Sequence, residues 1–169
     1  MVKNKMLMAK PDKKMEINWQ AHASLEELST AQQLLLQAAV EALDKAYAPY
    51  SNFHVGAAVR LNTGEILNGA NFENAAYPMC LCAERSTLAS AVSNYPNSVV
   101  EAMAITVRNP EKPIDQPAAP CGACRQVLVE AEGRQSADIE ILMRGESGPI
   151  YILSNAKLLL PFYFSGSFL

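Results

Sequence analysis

Histidine is almost missing from this chain: there are two in 169 residues, His22 and His54. Neither stands at ligand spacing to another metal-binding residue, so both read as ordinary surface or packing residues. Excess positive charge is missing too. With a net charge of −3 and a pI of about 5.4, no global basic field exists to gather nucleic acid. The basic residues that do cluster, Lys3, Lys5, Lys10, Lys13 and Lys14, lie near the N-terminus and read as a solvated, partly disordered tail. No apolar run approaches the ~20 residues of a membrane span. The first twenty residues also lack the apolar stretch of a secretory signal, because Lys5 and Lys10 interrupt it. A cytoplasmic, reducing location is therefore expected, where the four cysteines serve as ligands or free thiols rather than disulfides.

What is present fits one domain. Half of the residues are hydrophobic, and a chain of this length can bury a real core. Residues 1–20 read as an N-terminal extension, with a short strand at Met15–Trp19, and residues 21–169 as a single domain. Ser24 and Glu27 have capping-box spacing, and Leu28, Ala31, Leu35, Ala38, Ala42 and Ala46 recur at helical intervals. These residues predict a helix over 25–47, closed by Pro49. Val55, Ala57, Val59 and Leu61 alternate as in a strand, and Asn62-Thr63-Gly64-Glu65 turns the chain into a second strand at 66–71. Helices are expected over 82–94 and 122–132, and strands over 103–107, 139–143 and 150–153. The loop 108–120 between them carries Pro110, Pro113, Pro117 and Pro120. A hairpin followed by alternating helix and strand argues for a three-layer α/β/α domain with a five-stranded mixed sheet.

Two short stretches carry the chemistry: Cys82-Ala83-Glu84-Arg85 and Pro120-Cys121-Gly122-Ala123-Cys124. Together they offer three thiolates, one ligand short of a closed zinc cage, and a catalytic zinc keeps one position open. Both motifs fall where a helix starts, and the free N–H groups and dipole there favour thiolate over thiol. Cys121 and Cys124, across one helical turn, can reach one ion, and Cys82 closes a three-sulfur face. Glu84 is placed to handle protons at the open position. All-thiolate ligation blunts Lewis acidity, so a nearby cation must offset the charge. Arg85 is the candidate, donating to ligand sulfurs, and Arg125 is an alternative.

Other readings stand beside this one. Cys80 can complete a non-enzymatic, four-cysteine zinc-binding module that leaves Glu84 without a role; otherwise it is a small buried hydrophobe. A redox Cys-x-x-Cys at 121–124 would not require the distant Cys82–Glu84 pair.

From about residue 47 to the C-terminus the chain resembles the small homotetrameric, zinc-dependent cytidine deaminases. The resemblance rests on Tyr50-Ser51-Asn52-Phe53-His54-Val55-Gly56-Ala57-Ala58, on Asn71-Phe72-Glu73-Asn74-Ala75-Ala76-Tyr77-Pro78, on the two cysteine motifs with Arg125-Gln126, and on Leu159-Leu160-Pro161. It implies a cytidine deaminase-like fold and one Zn²⁺ per subunit on Cys82, Cys121 and Cys124, with Glu84 as the catalytic acid and base. The implied activity is hydrolytic deamination of cytidine and 2′-deoxycytidine in pyrimidine salvage. By the same resemblance Asn71 and Glu73 hold the ribose, Phe53 lines the base pocket, and Ala83 contacts substrate. Tyr77 and Phe164 reach a neighbouring subunit's site. The implied partner is a free nucleoside rather than nucleic acid or a membrane, and the implied assembly is a homotetramer. A blasticidin-type nucleoside-antibiotic deaminase shares the zinc motifs, but the Asn71/Glu73 pair argues for the nucleoside. The chain departs from the pattern in its longer N-terminal extension and its more apolar tail, Phe162–Leu169.

Overall fold

The structure is a computed structural model, and it describes residues 13–135 and 137–169. Lys3, Lys5 and Lys10 of the expected extension lie outside the described residues. Among the described residues six strands form one mixed sheet: β1 (Gln20–His22), β2 (His54–Leu61), β3 (Ile66–Ala70), β4 (Val100–Arg108), β5 (Glu140–Arg144) and β6 (Ile150–Leu153). Their order is β1-β6-β5-β4-β2-β3. β4 and β5 run parallel, and every other pair is antiparallel. The expected count of five strands is thus corrected to six. The added edge strand, β1, begins one residue after the predicted Met15–Trp19 segment, and Trp19 packs on Tyr151 with ring centroids 6.1 Å apart.

Helix α1 (Thr30–Ala42) covers one face of the sheet, and α2 (Ala83–Asn94) and α3 (Gly122–Gln135) cover the other. The alternation along β4 decides which side chains meet which helix. Ala102 and Ala104 join Leu35, Leu36 and Ala39 of α1, while Met103 and Ile105 join Leu88 and Leu128 of α2 and α3. The floor beneath α1 is made of small residues so that the helix can sit close. A Cβ on Gly56 would lie 2.1 Å from the Ala39 carbonyl oxygen.

The single helix predicted over 25–47 is divided. Leu25–Glu27 is a short 3-10 turn, Leu28 is extended with ψ 154°, and α1 then starts behind Ser29. The working capping box is Ser29 with Gln32, not Ser24 with Glu27: the Gln32 N–H donates to Ser29 Oγ at 3.3 Å, and the Ser29 N–H to Gln32 Oε1 at 3.1 Å. Leu43–Lys45 closes the helix as another 3-10 turn. The β2–β3 hairpin follows the predicted alternation, with Gly64 at φ +96° in its turn. Among the described residues no helix is long and apolar enough to cross a membrane.

Candidate active site

The first turn of α2 is locked to the sheet before any chemistry is considered. Cys82 occupies the N-cap, and its carbonyl accepts the Arg85 and Ser86 N–H groups, each at 3.1 Å. The Ser86 and Thr87 hydroxyls donate to the Ala83 carbonyl at 2.9 and 2.8 Å, and reach Ala70 and Ala57 carbonyls on β3 and β2 at 3.1 and 3.4 Å. Gly69 makes this approach possible, since a Cβ there would lie 2.6 Å from Thr87 Oγ1. Ala83 and Glu84 are buried as a result. Cys121 stands at the equivalent place before α3, its carbonyl accepting the Arg125 N–H at 3.0 Å, and Cys124 is buried one turn on.

The three sulfurs of Cys82, Cys121 and Cys124 all lie within 4.8 Å of one another. Cys82 Sγ is 3.8 Å from Cys121 Sγ, which is 3.5 Å from Cys124 Sγ. A Zn–S bond of about 2.3 Å at tetrahedral angles separates sulfurs by about 3.8 Å, so this donor set fits zinc closely. Hydrogen bonding from Cys124, then from Arg85, pulls the Cys82 thiol down to about 5, while sharing of that proton and burial push Cys124 up. Arg85 Nη2 lies 3.7 Å from Cys82 Sγ and donates to the Cys80 carbonyl at 3.2 Å.

Two expectations change here. Arg125 does not reach the sulfurs: its Nε donates to the Pro120 carbonyl at 2.8 Å and its Nη1 to the Leu159 carbonyl at 3.1 Å. Cys80 is neither a fourth ligand nor a buried hydrophobe. It is half-buried, and its thiol is engaged with the Asn74 backbone. Cys80 also lines the neighbouring cavity, but its sulfur is engaged by Asn74 and lies outside the cluster, which offers three ligands.

That cavity, of about 320 Å³, brings most of the predicted residues together. Glu84, Cys82 and Cys121 stand along its metal side, Phe53, Asn71 and Glu73 along its walls, and Val55, Ile105 and Val107 contribute apolar surface. Glu84 is 5% exposed; burial, assisted by the charge on Cys82, raises its carboxyl above the usual range. Asn71 braces the mouth, with its Oδ1 accepting the Val55 N–H at 2.8 Å and its Nδ2 donating to the Phe53 carbonyl at 2.9 Å. Glu73 accepts the Tyr50 N–H at 2.9 Å, the Ser51 N–H at 3.3 Å and the Ser51 hydroxyl. The Ser51 hydroxyl is the main reason its carboxyl falls below the ordinary value. Both side chains keep lone pairs or N–H groups for a ligand hydroxyl.

Tyr77, Phe164 and Ala83 are not among the walls of the cavity in their own chain. Tyr77 is 71% exposed and meets Tyr50 edge-on at 6.2 Å, while Phe164 stacks on Phe168 at 5.6 Å. Sequence reasoning missed Ser51, Ala118 and Ala119 as cavity residues. Ser51 lies within the Tyr50–Ala58 motif, and Ala118 and Ala119 immediately precede the Pro120–Cys124 motif.

Residues 29–137 match the family model for the cytidine and deoxycytidylate deaminase zinc-binding region. The chain is 40% identical over 127 residues to a cytidine deaminase of Halalkalibacterium halodurans, covering 75% of this chain and 89% of that one. Its fold is similar to the crystal structure of a cytidine deaminase from Burkholderia pseudomallei, with a TM-score of 0.68, 41% identity, and coverage of 78% and 97%. A Mycobacterium leprae cytidine deaminase aligns with a TM-score of 0.62 at 34% identity, over 79% and 99%. A three-cysteine, zinc-fitting cluster beside a buried glutamate, on a fold shared at this level of identity, places the chain in the cytidine and deoxycytidylate deaminase zinc-binding family.

Proposed function

We infer that the protein hydrolyses cytidine and 2′-deoxycytidine to uridine and 2′-deoxyuridine with release of ammonia, a reaction of pyrimidine salvage. The observation that carries this reading is the buried Glu84 carboxyl facing one 320 Å³ cavity together with Cys82 and Cys121. Cys82, Cys121 and Cys124 would hold one Zn²⁺, which when bound supplies the Lewis acidity that makes water a nucleophile near neutral pH. Glu84 moves the protons: it takes one from the attacking water and passes it to ring N3, then takes a second from the hydroxyl now on C4 and delivers it to the departing amine, leaving the C4 carbonyl. A buried carboxyl facing the cavity suits this exchange, because burial raises its pKa and eases its return to the protonated form. Arg85 offsets the charge of the sulfurs from its place beside Cys82.

Asn71 and Glu73 hold the ribose 3′-hydroxyl, and Phe53 packs on the base. Ala83 presents its backbone at the start of α2. The protein acts in the cytoplasm as a homotetramer, in which Tyr77 and Phe164 complete a neighbour's site; their exposure in the isolated chain supports that role. The catalytic domain is 21–169, and it takes in Gln20 through the β1–β6 pairing and Trp19 through its packing on Tyr151.

One assay tests the substrate: ammonia release from cytidine, 2′-deoxycytidine, blasticidin S and single-stranded DNA, with zinc measured per chain. Turnover of both nucleosides is expected. Turnover confined to blasticidin S, or to none of the four, refutes it. Light scattering tests the assembly, with Phe164→Ala expected to lower activity. An unchanged variant refutes the shared site.

A further inference from the structure

The proline-rich loop 109–120 forms one wall of the cavity through Ala118 and Ala119, and it ends at Cys121. Prolines restrict such a loop but remove N–H groups that would anchor it, so its position depends on what grips the remaining backbone. Two grips are visible, at opposite ends. At the front, Glu146 in the β5–β6 turn accepts the Asn109 N–H at 2.8 Å and the Ile114 N–H at 3.4 Å on one oxygen, and its own N–H donates to the Ile114 carbonyl at 2.8 Å. The two glycines flanking this turn let the loop lie directly on it. A Cβ on Gly145 would sit 2.5 Å from the Ile114 carbonyl oxygen. One on Gly148, at φ +78°, would sit 2.0 Å from that of Asp115. The Thr106 hydroxyl, buried on β4, holds the turn by donating to the Gly145 carbonyl at 3.2 Å. At the rear, the Arg125 fork joins the Pro120 carbonyl to the Leu159 carbonyl, one residue ahead of Cys121.

We propose that Glu146 and Arg125 are positioning residues with separate tasks: Glu146 sets the cavity wall against the substrate, and Arg125 sets Cys121 against the metal. The assignment rests on the deaminase reading only for what occupies the cavity. Glu146 is exposed and touches no ligand sulfur, so its effect reaches substrate through Ala118 and Ala119 alone. Arg125 acts on the ligand loop directly, because its two bonds leave Pro120 no freedom to swing away from α3.

Zinc-loaded wild type and variants separate the two tasks by three measurements: hydrogen exchange over 109–120, the rate of zinc transfer to a chromogenic chelator, and KM and kcat for cytidine. Glu146→Ala should speed exchange across the loop and raise KM by about tenfold, the order of magnitude of a lost hydrogen bond to a charged acceptor, with zinc transfer and kcat close to wild type. Glu146→Gln keeps an accepting oxygen without its charge and should recover both in large part. Arg125→Ala, and Arg125→Lys if the alanine variant does not fold, should speed zinc transfer by about tenfold or more, since a lysine cannot bridge two carbonyls. Unchanged loop exchange and KM in Glu146→Ala, or unchanged zinc transfer in the Arg125 variants, overturns the proposal. If wild type releases no ammonia from cytidine while exchange and zinc transfer respond as stated, the substrate reading fails and the two-point anchoring stands.

Discussion

The thiol of Cys80 closes on the backbone of Asn74: its Sγ accepts the Asn74 N–H at 3.2 Å and donates to the Asn74 carbonyl at 3.6 Å. A cysteine two residues from a metal ligand thus serves as a pin for the loop between β3 and α2. Cys80→Ala should keep one zinc per chain and near-normal turnover, and lower stability by about 1 kcal/mol in a urea melt. Zinc loss from this variant would refute the three-sulfur site.

Glu84 faces the cavity from a buried position, and the side chains that bear on its carboxyl are those of Cys82, Cys124 and Arg85. Glu84→Gln preserves shape and should retain both zinc and the melting temperature. Steady-state ammonia release should fall by about a hundred- to ten-thousandfold or more, the usual share of general acid–base catalysis. Near-normal turnover would remove Glu84 from the mechanism.

Glu73 predicts a pH effect. Its folded carboxyl lies below the ordinary value because of the Ser51 hydroxyl first and the Tyr50 and Ser51 N–H groups after it. A depressed carboxyl contributes stability that is complete above its unfolded pKa and disappears as pH falls through the folded one. Wild type should therefore melt above Ser51→Ala at pH 7, and the gap should close progressively on acidification below about pH 4. A gap independent of pH would mean that Ser51 acts through packing and its bond from the Phe53 N–H, not through Glu73.

Gly56 tests the seat of α1. With the Ala39 carbonyl oxygen 2.1 Å from a built Cβ, Gly56→Ala should force the helix outward and cost about 1–3 kcal/mol by chemical denaturation. Gly122→Ala, where a Cβ meets nothing within 4 Å, is the matched control and should be nearly silent.

The metal side of the site was legible in the sequence because each part is local. Cys82 and Cys121 stand at helix starts that the neighbouring residues specify, and Cys124 follows Cys121 by one turn. The β2–β3 hairpin was legible for the same reason, since alternation and the Asn62-Thr63-Gly64 turn are short-range signals. Long-range decisions were not. β1 is three residues with two polar ends, and only pairing with β6 makes it a strand. Ser24 and Ser29 offer similar capping chemistry, and Leu28 packing into the α1 face selects the second. Glu132, buried at 1% exposure, accepts the N–H groups of Ile139 and Ala156 at 3.0 and 2.7 Å, a role no pattern in α3 announces.

Cys82 and Cys121 are 39 residues apart, and β4 runs between them. A metal gripped by both is therefore a topological staple in a chain whose cysteines are all free thiols. Closing a loop of that length in the unfolded chain removes conformational entropy worth about 4 kcal/mol on the model used for disulfides. The ion's departure should then be felt as a softening of α2 and α3 together, while the α1 layer across the sheet keeps its packing. In this protein the reagent of catalysis and the fastener of one whole layer would be the same atom.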